Sequence, residues 1–188
     1  MNLDHAREAL LDPAEAIALT AHGESAAVLI PLRMRDDGAI NFVFTKRRDD
    51  LSKHAGEISF PGGRPEGHDK DLVATALREA HEEIGLLPAD VTLLGALPPI
   101  STYVTNFAIY PFVGAVAADL QWTPEQREVE TVLEFELSNL AAVYERREIV
   151  RHGFGFETDA YEIDEHLIWG ATARILTTAL DRLKPLIG

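Results

Sequence analysis

Three glutamates stand close together in one short stretch of the chain, at positions Glu79, Glu82 and Glu83. Successive residues of an α-helix are about 100° apart, so the three carboxylates would share one arc about 100° wide. Like charges at these spacings destabilise an isolated helix, and the negative end of the helix dipole adds to that cost. The pattern is typical either of a solvated acidic face or of a site for a hard divalent cation such as Mg²⁺.

The residues around the glutamates favour the cation site. The preceding segment Phe60-Pro61-Gly62-Gly63 forces a loop, and its glycines allow the backbone to approach a phosphate or a metal closely. Arg78 lies four residues before Glu82, which is the poorer order of charges for helix stabilisation. Local rules that are broken without a visible gain are expected at functional sites.

Positive charge is concentrated upstream, where Lys46, Arg47, Arg48 and Lys53 fall within eight positions. This segment predicts either a site for a phosphate group or a solvated strand end, because the adjacent Asp49 and Asp50 cancel part of the charge. We expect the two tryptophans to pack in the protein rather than to stack on a base. Glu128 and Glu130 precede a predicted strand and could be either a solvated face or a source of a further base.

The best predicted helix spans Asp69 to Ile84 and carries the glutamates. Its apolar residues recur at spacings of four, three and four, which indicates one buried face; they are Val73, Leu77, Ala80 and Ile84. We expect Asp69 to be the N-cap and Gly85 to end the helix. A short helix from Asp12 to Thr20 and a last helix from Leu167 to Leu183 are predicted as well.

Apolar runs between these helices predict strands and a hairpin region; the segments are Ser25 to Leu32, Ile40 to Thr45, Glu57 to Phe60, Val91 to Leu97, Phe107 to Ala117, Thr131 to Leu137 and Gly153 to Glu162. Strands mixed with helices indicate an α/β or α+β sandwich. A length of 188 residues, with no repeat and no linker, predicts a single domain over residues 1–188.

Composition narrows the possible partners. The chain has no cysteine, which excludes disulfides, thiolate zinc sites and cysteine nucleophiles. Its formal net charge of −14 disfavours binding to a nucleic-acid backbone. Neither a signal peptide nor a membrane-spanning run is visible, so we expect a cytoplasmic protein. The sequence specifies no oligomeric state.

The segment from Gly63 to Leu86 resembles the Nudix box, G-x5-E-x7-R-E-U-x-E-E-x-G-U, in which U is aliphatic. Its second half fits closely from Arg78 to Leu86, whereas the first half carries one extra residue and places Asp69 at the acid position. The resemblance implies the Nudix fold, a mixed β-sheet sandwiched between α-helices. It also implies a diphosphate hydrolase that needs Mg²⁺ or Mn²⁺.

Residues 43–63 look like the signature of the coenzyme A diphosphatases, LLTxR[SA]x3Rx3Gx3FPGG. Thr45, Arg47, Gly56 and the segment from Phe60 to Gly63 fall on its positions, whereas Arg48 and Ser52 depart from it. This resemblance implies hydrolysis of coenzyme A, and of its oxidised or acyl derivatives, to 3′,5′-ADP and 4′-phosphopantetheine. The alternatives are a Nudix hydrolase of ADP-ribose, dinucleotides or nucleoside triphosphates, and a non-catalytic nucleotide-binding module of the same fold.

On this interpretation, the site residues take the following roles. Glu79 and Glu83 are the principal metal ligands, Glu82 is a ligand or a base that orients water, and Arg78 fixes Glu82. A backbone carbonyl of Gly62 or Gly63 completes the metal shell. The candidates for binding the 3′-phosphate of coenzyme A are Arg47, Arg48 and Lys53, because guanidinium groups suit phosphate.

Overall fold

The computed structural model describes residues 3–51, 55–102, 105–151 and 154–183. Its helices are α1 (Leu3–Ala9), α2 (Pro13–Ala18), α3 (Leu72–Ile84), α4 (Leu137–Ala142) and α5 (Gly170–Leu183). Its strands are β1 (Glu24–Met34), β2 (Ile40–Arg47), β3 (Ile58–Ser59), β4 (Gly62–Gly63), β5 (Thr92–Ala96), β6 (Ile100–Ser101), β7 (Phe107–Val116), β8 (Val129–Glu136), β9 (Tyr144–Arg151), β10 (Phe154–Ile163) and β11 (His166–Trp169). A 3₁₀ turn at Pro88–Asp90 follows α3.

A mixed sheet forms the centre of the fold. Its main order is β3-β2-β1-β7-β5, with β4 and β6 added beside β1 and β7, and with β8 paired to β2. The pair β1–β7 is parallel, and the pairs β1–β2, β2–β8 and β5–β7 are antiparallel. The strands β9, β10 and β11 form a second, antiparallel sheet.

Helices cover both faces of the mixed sheet. Alternate residues of β1 and β2 face opposite ways, as the period of a strand requires. Ile30 and Phe42 pack in a cluster with α5, whereas Leu29 and Val43 pack in a cluster with α3. The predicted fold class, a mixed sheet sandwiched between helices, is therefore confirmed. Within the described residues, no helix is long and apolar enough to cross a membrane.

Helix α3 begins later than the sequence predicts. Asp71 is the N-cap, and its Oδ1 accepts a hydrogen bond from the Ala74 N–H at 2.7 Å. The prediction that Asp69 caps the helix is therefore wrong, because the buried side chain of Asp69 binds Arg78 instead. Gly85 ends the helix in the left-handed region at φ 72°, as predicted.

The C-terminal third departs most from the prediction. The segment His166–Trp169 pairs with β10 as a strand, so α5 begins at Gly170 rather than at Leu167. The predicted hairpin region is one arm of the β9–β10 hairpin, although its first residue, Gly153, lies outside the described residues. Strand β9 and the short helices α1 and α4 were not predicted from the sequence.

Candidate functional site

The three glutamates of α3 lie at different depths because the helix packs on the sheet through Ala76, Ala80 and Ile84. The Glu82 side chain is 55% exposed, and the Glu79 side chain is 17% exposed. The carboxylate of Glu83 reaches furthest inward, where its Oε2 is buried and makes no hydrogen bond. This oxygen has given up hydration without a hydrogen bond from the described residues to replace it.

Burial raises the pKa of Glu83 to about 8, and the negative charge of Glu79 adds to the shift. A backbone hydrogen bond with Gly62 and the positive charge of Arg47 act in the opposite direction. Burial also raises the pKa of Glu79, although the neighbouring Arg78 opposes that shift. Two adjacent carboxyls are therefore harder to ionise than usual, which is the electrostatic setting that a bound cation would reverse.

Strand β4 brings backbone against these carboxylates. Gly62 and Gly63 pair with Val28 and Ala27 of β1, directly beside α3. A Cβ atom built on Gly63 would overlap the carboxylate of Glu79, so a larger residue here would require that flexible side chain to shift. The structure therefore brings the two glycines close to the glutamates, as the sequence predicts.

Arg78 forms ion pairs with Asp69 and Glu79 as well as with Glu82. Its Nη1 lies 3.0 Å from Glu82 Oε2 and 3.0 Å from Glu79 Oε1. Its Nε donates to Asp69 Oδ1 at 3.1 Å, and its Nη2 donates to the Arg64 carbonyl at 2.9 Å. The contact with Glu82 agrees with the sequence prediction, whereas the contact with Glu79 was not expected.

Asp69 anchors this network from the loop before α3. Its side chain is only 3% exposed, and it accepts hydrogen bonds from the Glu66 N–H at 2.9 Å and from Thr75 Oγ1 at 3.0 Å. Hydrogen bonds from Arg78, from the Glu66 backbone and from Thr75 hold the pKa of Asp69 well below its usual range. Asp69 is thus a fixed anion that orients Arg78.

The residues present fit a divalent cation. Among the described residues, no three carboxylate or imidazole side chains already surround one point, because Glu79 and Glu82 are bound to Arg78. The donors are nevertheless all oxygen atoms, and one of them is the buried, unpartnered Oε2 of Glu83. Oxygen donors of this kind suit Mg²⁺ or Mn²⁺.

The structure separates the basic residues. Arg47 lies close enough to Glu83 to lower its pKa, and it reaches Glu128 Oε2 at 3.3 Å. The Nε of Arg47 is buried without a hydrogen-bond partner. Arg48 instead binds its neighbour Asp50 at 2.8 and 2.7 Å. Lys53, the third candidate, lies outside the described residues.

The loop between β7 and β8 links the basic segment to the glutamate helix. The N–H groups of Thr123 and Glu125 donate to the carbonyls of Ile84 and Glu83, each at 2.9 Å. At the other end of the loop, Glu128 binds Arg47, and its negative charge raises the pKa of Glu83. Glu128 is exposed, and its charge nevertheless acts on Glu83; its role as a further base stays a prediction.

The tryptophans take packing positions, as expected. Trp122 donates from Nε1 to Glu134 Oε1 at 2.6 Å, and the guanidinium of Arg33 lies 5.0 Å from its ring centroid. The ring of Trp169 lies 6.1 Å from that of Phe156.

Comparison with known proteins gives consistent matches. The family model described as NUDIX domain matches residues 23–153. The chain is 38% identical over 153 residues to a protein of Enterobacter sp. (strain 638) named uncharacterized Nudix hydrolase NudL, covering 80% of this chain and 78% of that protein. A protein of the same name from Salmonella dublin is 36% identical over 180 residues, covering 94% and 92%.

Solved structures resemble the fold at low sequence identity. A Nudix hydrolase from M. smegmatis, RenU, matches with a TM-score of 0.58 and 17% identity, covering 87% of this chain and 84% of that one. A MutT/nudix family protein from Enterococcus faecalis matches with a TM-score of 0.59 and 11% identity, covering 89% and 64%. These similarities support the sandwich described above.

Proposed function

Since this chain belongs to the Nudix hydrolase family and is a pyrophosphohydrolase, we propose that its substrate is coenzyme A, including the oxidised and acyl forms. The reaction is coenzyme A + H₂O → 3′,5′-ADP + 4′-phosphopantetheine. We further propose that residues 1–188 form one Nudix domain and that the cation is Mg²⁺ or Mn²⁺. The observation that carries the hydrolytic site is the buried Oε2 of Glu83, which makes no hydrogen bond with the described residues and lies beside Glu79.

We assign the metal to Glu79 and Glu83, with Glu82 as a further ligand or as the base that orients the attacking water. When bound, the cation supplies charge neutralisation for the diphosphate and lowers the pKa of a bound water. Arg78 is a positioning residue, because its guanidinium holds Glu79 and Glu82 while Asp69 holds the guanidinium. Gly62 and Gly63 provide the close backbone approach that a diphosphate needs.

The choice of coenzyme A is supported by the signature in residues 43–63 and by the position of Arg47. This guanidinium lies near Glu83 and reaches Glu128 at 3.3 Å, and its side chain is 28% exposed. Its outer N–H donors can therefore meet a phosphate group of the substrate. Arg48 and Lys53 remain the weaker candidates for the 3′-phosphate, since Arg48 is paired with Asp50.

The non-catalytic alternative does not account for the glutamates. A module that only binds a nucleotide has no need to bury Glu83 next to Glu79 at an electrostatic cost. A pyrophosphohydrolase has that need, because its cation must sit beside the diphosphate.

The test of the substrate compares coenzyme A with dephospho-coenzyme A, which lacks only the 3′-phosphate. We expect a kcat/KM higher for coenzyme A by roughly ten- to a hundredfold, since a charge-assisted contact contributes about 1.5–3 kcal/mol. Arg47→Ala should remove that preference, so that kcat/KM becomes the same for the two compounds. Arg35→Ala is the matched control, because Arg35 also forms an ion pair with a carboxylate, that of Asp37, but lies in the β1–β2 turn.

The products are identified by mass in the presence of Mg²⁺. Equal turnover of coenzyme A and dephospho-coenzyme A would show that the protein makes no productive contact with the 3′-phosphate. A preference for ADP-ribose, a dinucleotide or a nucleoside triphosphate would remove the coenzyme A assignment and leave the family membership untouched.

A further inference from the structure

A narrow apolar slot opens between strand β4 and the first turns of α5. Its volume is about 170 Å³, and no charged side chain is among the described residues that line it; the lining includes Val28, Gly62, Gly63, Ile109, Ala171 and Thr172. Val28, Ile109 and Ala171 are only partly buried by the rest of the protein. Partly exposed aliphatic surface in a concave site is a recurrent feature of ligand pockets.

The slot borders the candidate metal site at Gly63, which belongs to the lining of the slot and lies against the carboxylate of Glu79. A group bound in the slot would therefore lie next to the diphosphate that the glutamates and their cation hold. The slot is therefore a site for the part of the substrate that is directly attached to the diphosphate.

The basic residues lie at the other end of the same segment. The N–H of Arg47 donates to the carbonyl of Glu57 at 2.9 Å, five residues before Gly62. Five extended residues span at most about 16–18 Å. The site therefore has a cationic end near Arg47 and an uncharged end at the slot, with the glutamates between them.

We propose that the slot binds the branched, uncharged part of the pantetheine arm that directly follows the diphosphate of coenzyme A. This inference rests on the proposed function. In coenzyme A the second carbon after the diphosphate carries two methyl groups, and the next carbon carries a hydroxyl. The methyl groups match Val28, Ile109 and Ala171, and Thr172, which also lines the slot, carries a hydroxyl that suits the substrate hydroxyl.

Size and polarity argue against the other half of the substrate in this position. A slot of about 170 Å³ is smaller than the roughly 300–1,000 Å³ of pockets that enclose a whole drug-sized ligand, so it holds one portion only. The ribose that follows the diphosphate in ADP-ribose and dinucleotides carries hydroxyls that would lose hydration against aliphatic side chains. The slot is thus a specificity determinant that favours a dimethyl-branched arm over a sugar.

The test fills the slot and measures binding of the two product halves separately. Ala171→Phe places a ring in the slot, and Ala89→Phe is the matched control at an exposed alanine after α3. Binding of 4′-phosphopantetheine and of 3′,5′-ADP is measured by calorimetry with Mg²⁺ present. We expect Ala171→Phe to weaken 4′-phosphopantetheine at least tenfold and to change 3′,5′-ADP less than twofold, because burial of two methyl groups contributes roughly tenfold.

A loss confined to 3′,5′-ADP, an equal loss for both halves, or no loss at all would overturn the assignment of the slot. If Ala171→Phe fails to fold, Ala171→Leu is measured in the same way. The unaltered protein gives an independent result, since it should bind 4′-phosphopantetheine at least tenfold more tightly than inorganic phosphate. Equal affinity for the two would overturn the proposal.

Failure of the coenzyme A assignment and failure of the slot assignment give different results. If the unaltered protein does not hydrolyse coenzyme A, the proposed function fails. If it does hydrolyse coenzyme A and Ala171→Phe leaves the binding of 4′-phosphopantetheine unchanged, only the slot assignment fails.

Discussion

At the scale of single residues, the site is organised by which carboxylates have a cationic partner. Asp69, Glu79 and Glu82 all bind Arg78, whereas the inner carboxylate oxygen of Glu83 has no partner. A buried charge without a partner is strongly unfavourable, so Glu83 is the group that gains most from a cation. The network around Arg78 keeps the other carboxylates in place until the cation arrives.

Glu83→Gln should separate activity from stability. The amide keeps the shape of the side chain but removes its charge, so we expect kcat to fall by at least about a hundredfold. Loss of a group that only supports a metal ligand costs about ten- to a hundredfold, and loss of a ligand itself should cost more. The metal-free variant should melt at a higher temperature than the parent at pH 8, because a neutral amide is easier to bury. Glu15→Gln on the exposed face of α2 is the control.

Steady-state kinetics and thermal melts of both variants decide the matter. Similar losses of activity in Glu83→Gln and Glu15→Gln would show that Glu83 has no special role.

Asp69→Asn should destabilise the protein in a pH-dependent way. The Asp69–Arg78 pair is buried, so removal of one partner costs about 3 kcal/mol of the free energy of unfolding at pH 7. The folded-state pKa of Asp69 lies below its ordinary value of 3.8. The carboxylate therefore contributes stability above about pH 4, and this contribution is lost as the pH falls through the folded-state pKa.

Urea unfolding at pH 7 and pH 3 measures the difference between parent and variant. We expect the difference to shrink at pH 3. Asp37→Asn is the control, because Asp37 also has a lowered pKa and binds Arg35, but it is fully exposed. A difference for Asp69→Asn that is the same at both pH values would contradict the ion-pair explanation.

At the scale of elements, α3 is fixed at both ends. Asp71 caps its first turn, and the β7–β8 loop donates two backbone hydrogen bonds to its last carbonyls. Gly85 makes that second attachment possible, since it takes a left-handed conformation directly against Thr123. The element that carries the glutamates is thus positioned by a loop that also brings Glu128 to Arg47.

Gly85→Ala should cost more stability than Gly38→Ala. Both glycines have positive φ, at 72° and 86°, so each alanine pays a conformational penalty of about 1–2 kcal/mol. Only at Gly85 would the new Cβ meet another residue, at 2.9 Å from Thr123 Cβ, whereas nothing lies within 4 Å at Gly38. We expect a lower Tm and a lower kcat for Gly85→Ala, and a smaller loss of Tm with unchanged kcat for Gly38→Ala.

Equal Tm and kcat values for the two variants would mean that the loop attachment does not position α3.

The sequence predicts the elements that are amphipathic or wholly buried. Strands β1, β2 and β7 were predictable because each is a nearly continuous apolar run, and the body of α3 because its apolar residues follow the period of a helix. Strand β9 was missed because it is highly charged, and its pairing with β10 cannot be read from its own residues. Leu167, Ile168 and Trp169 were assigned to a helix because Ile168 fits a helical spacing, yet pairing with β10 overrides that local preference.

The same limit applies to the site. The close spacing of the glutamates and of Arg78 was visible because all lie on one helix. The ion pair of Arg78 with Asp69 was missed because an aspartate before a helix is a common N-cap, and Asp71 takes that role here. The approach of Arg47 and Glu128 depends on the pairing of β2 with β8, which joins residues 81 positions apart.

At the scale of the whole molecule, the sandwich places an oxygen-rich site on a strongly acidic protein. The formal net charge of −14 raises the local concentration of divalent cations over the entire surface. The fold makes one position different, because burial between α3 and β4 leaves Glu83 and Glu79 with raised pKa values. The stabilisation by a cation bound at this site should therefore depend on Glu83, whereas stabilisation by cations around the acidic surface should not.

Mg²⁺ should raise the Tm of the protein, and the rise should grow between pH 6 and pH 8. The folded-state pKa of Glu83 is raised from 4.5 to about 8, so the neutral carboxyl stabilises the metal-free protein most below about pH 4.5. That contribution is lost as the pH rises through about 8. Protons compete with the cation at Glu83, so Mg²⁺ binds more tightly as the pH approaches 8. The bound cation then compensates for the stability that the metal-free protein loses when Glu83 ionises.

Thermal melts with and without Mg²⁺, at matched ionic strength and at several pH values, measure both effects. At a Mg²⁺ concentration of about 100 times Kd the stabilisation is about 2.7 kcal/mol. Glu83→Gln is the decisive comparison, because it leaves the charge of the remaining surface unchanged while it removes the titrating group. A rise in Tm that persists in Glu83→Gln with the same size and pH dependence would assign the effect to the acidic surface and contradict a metal site at Glu83.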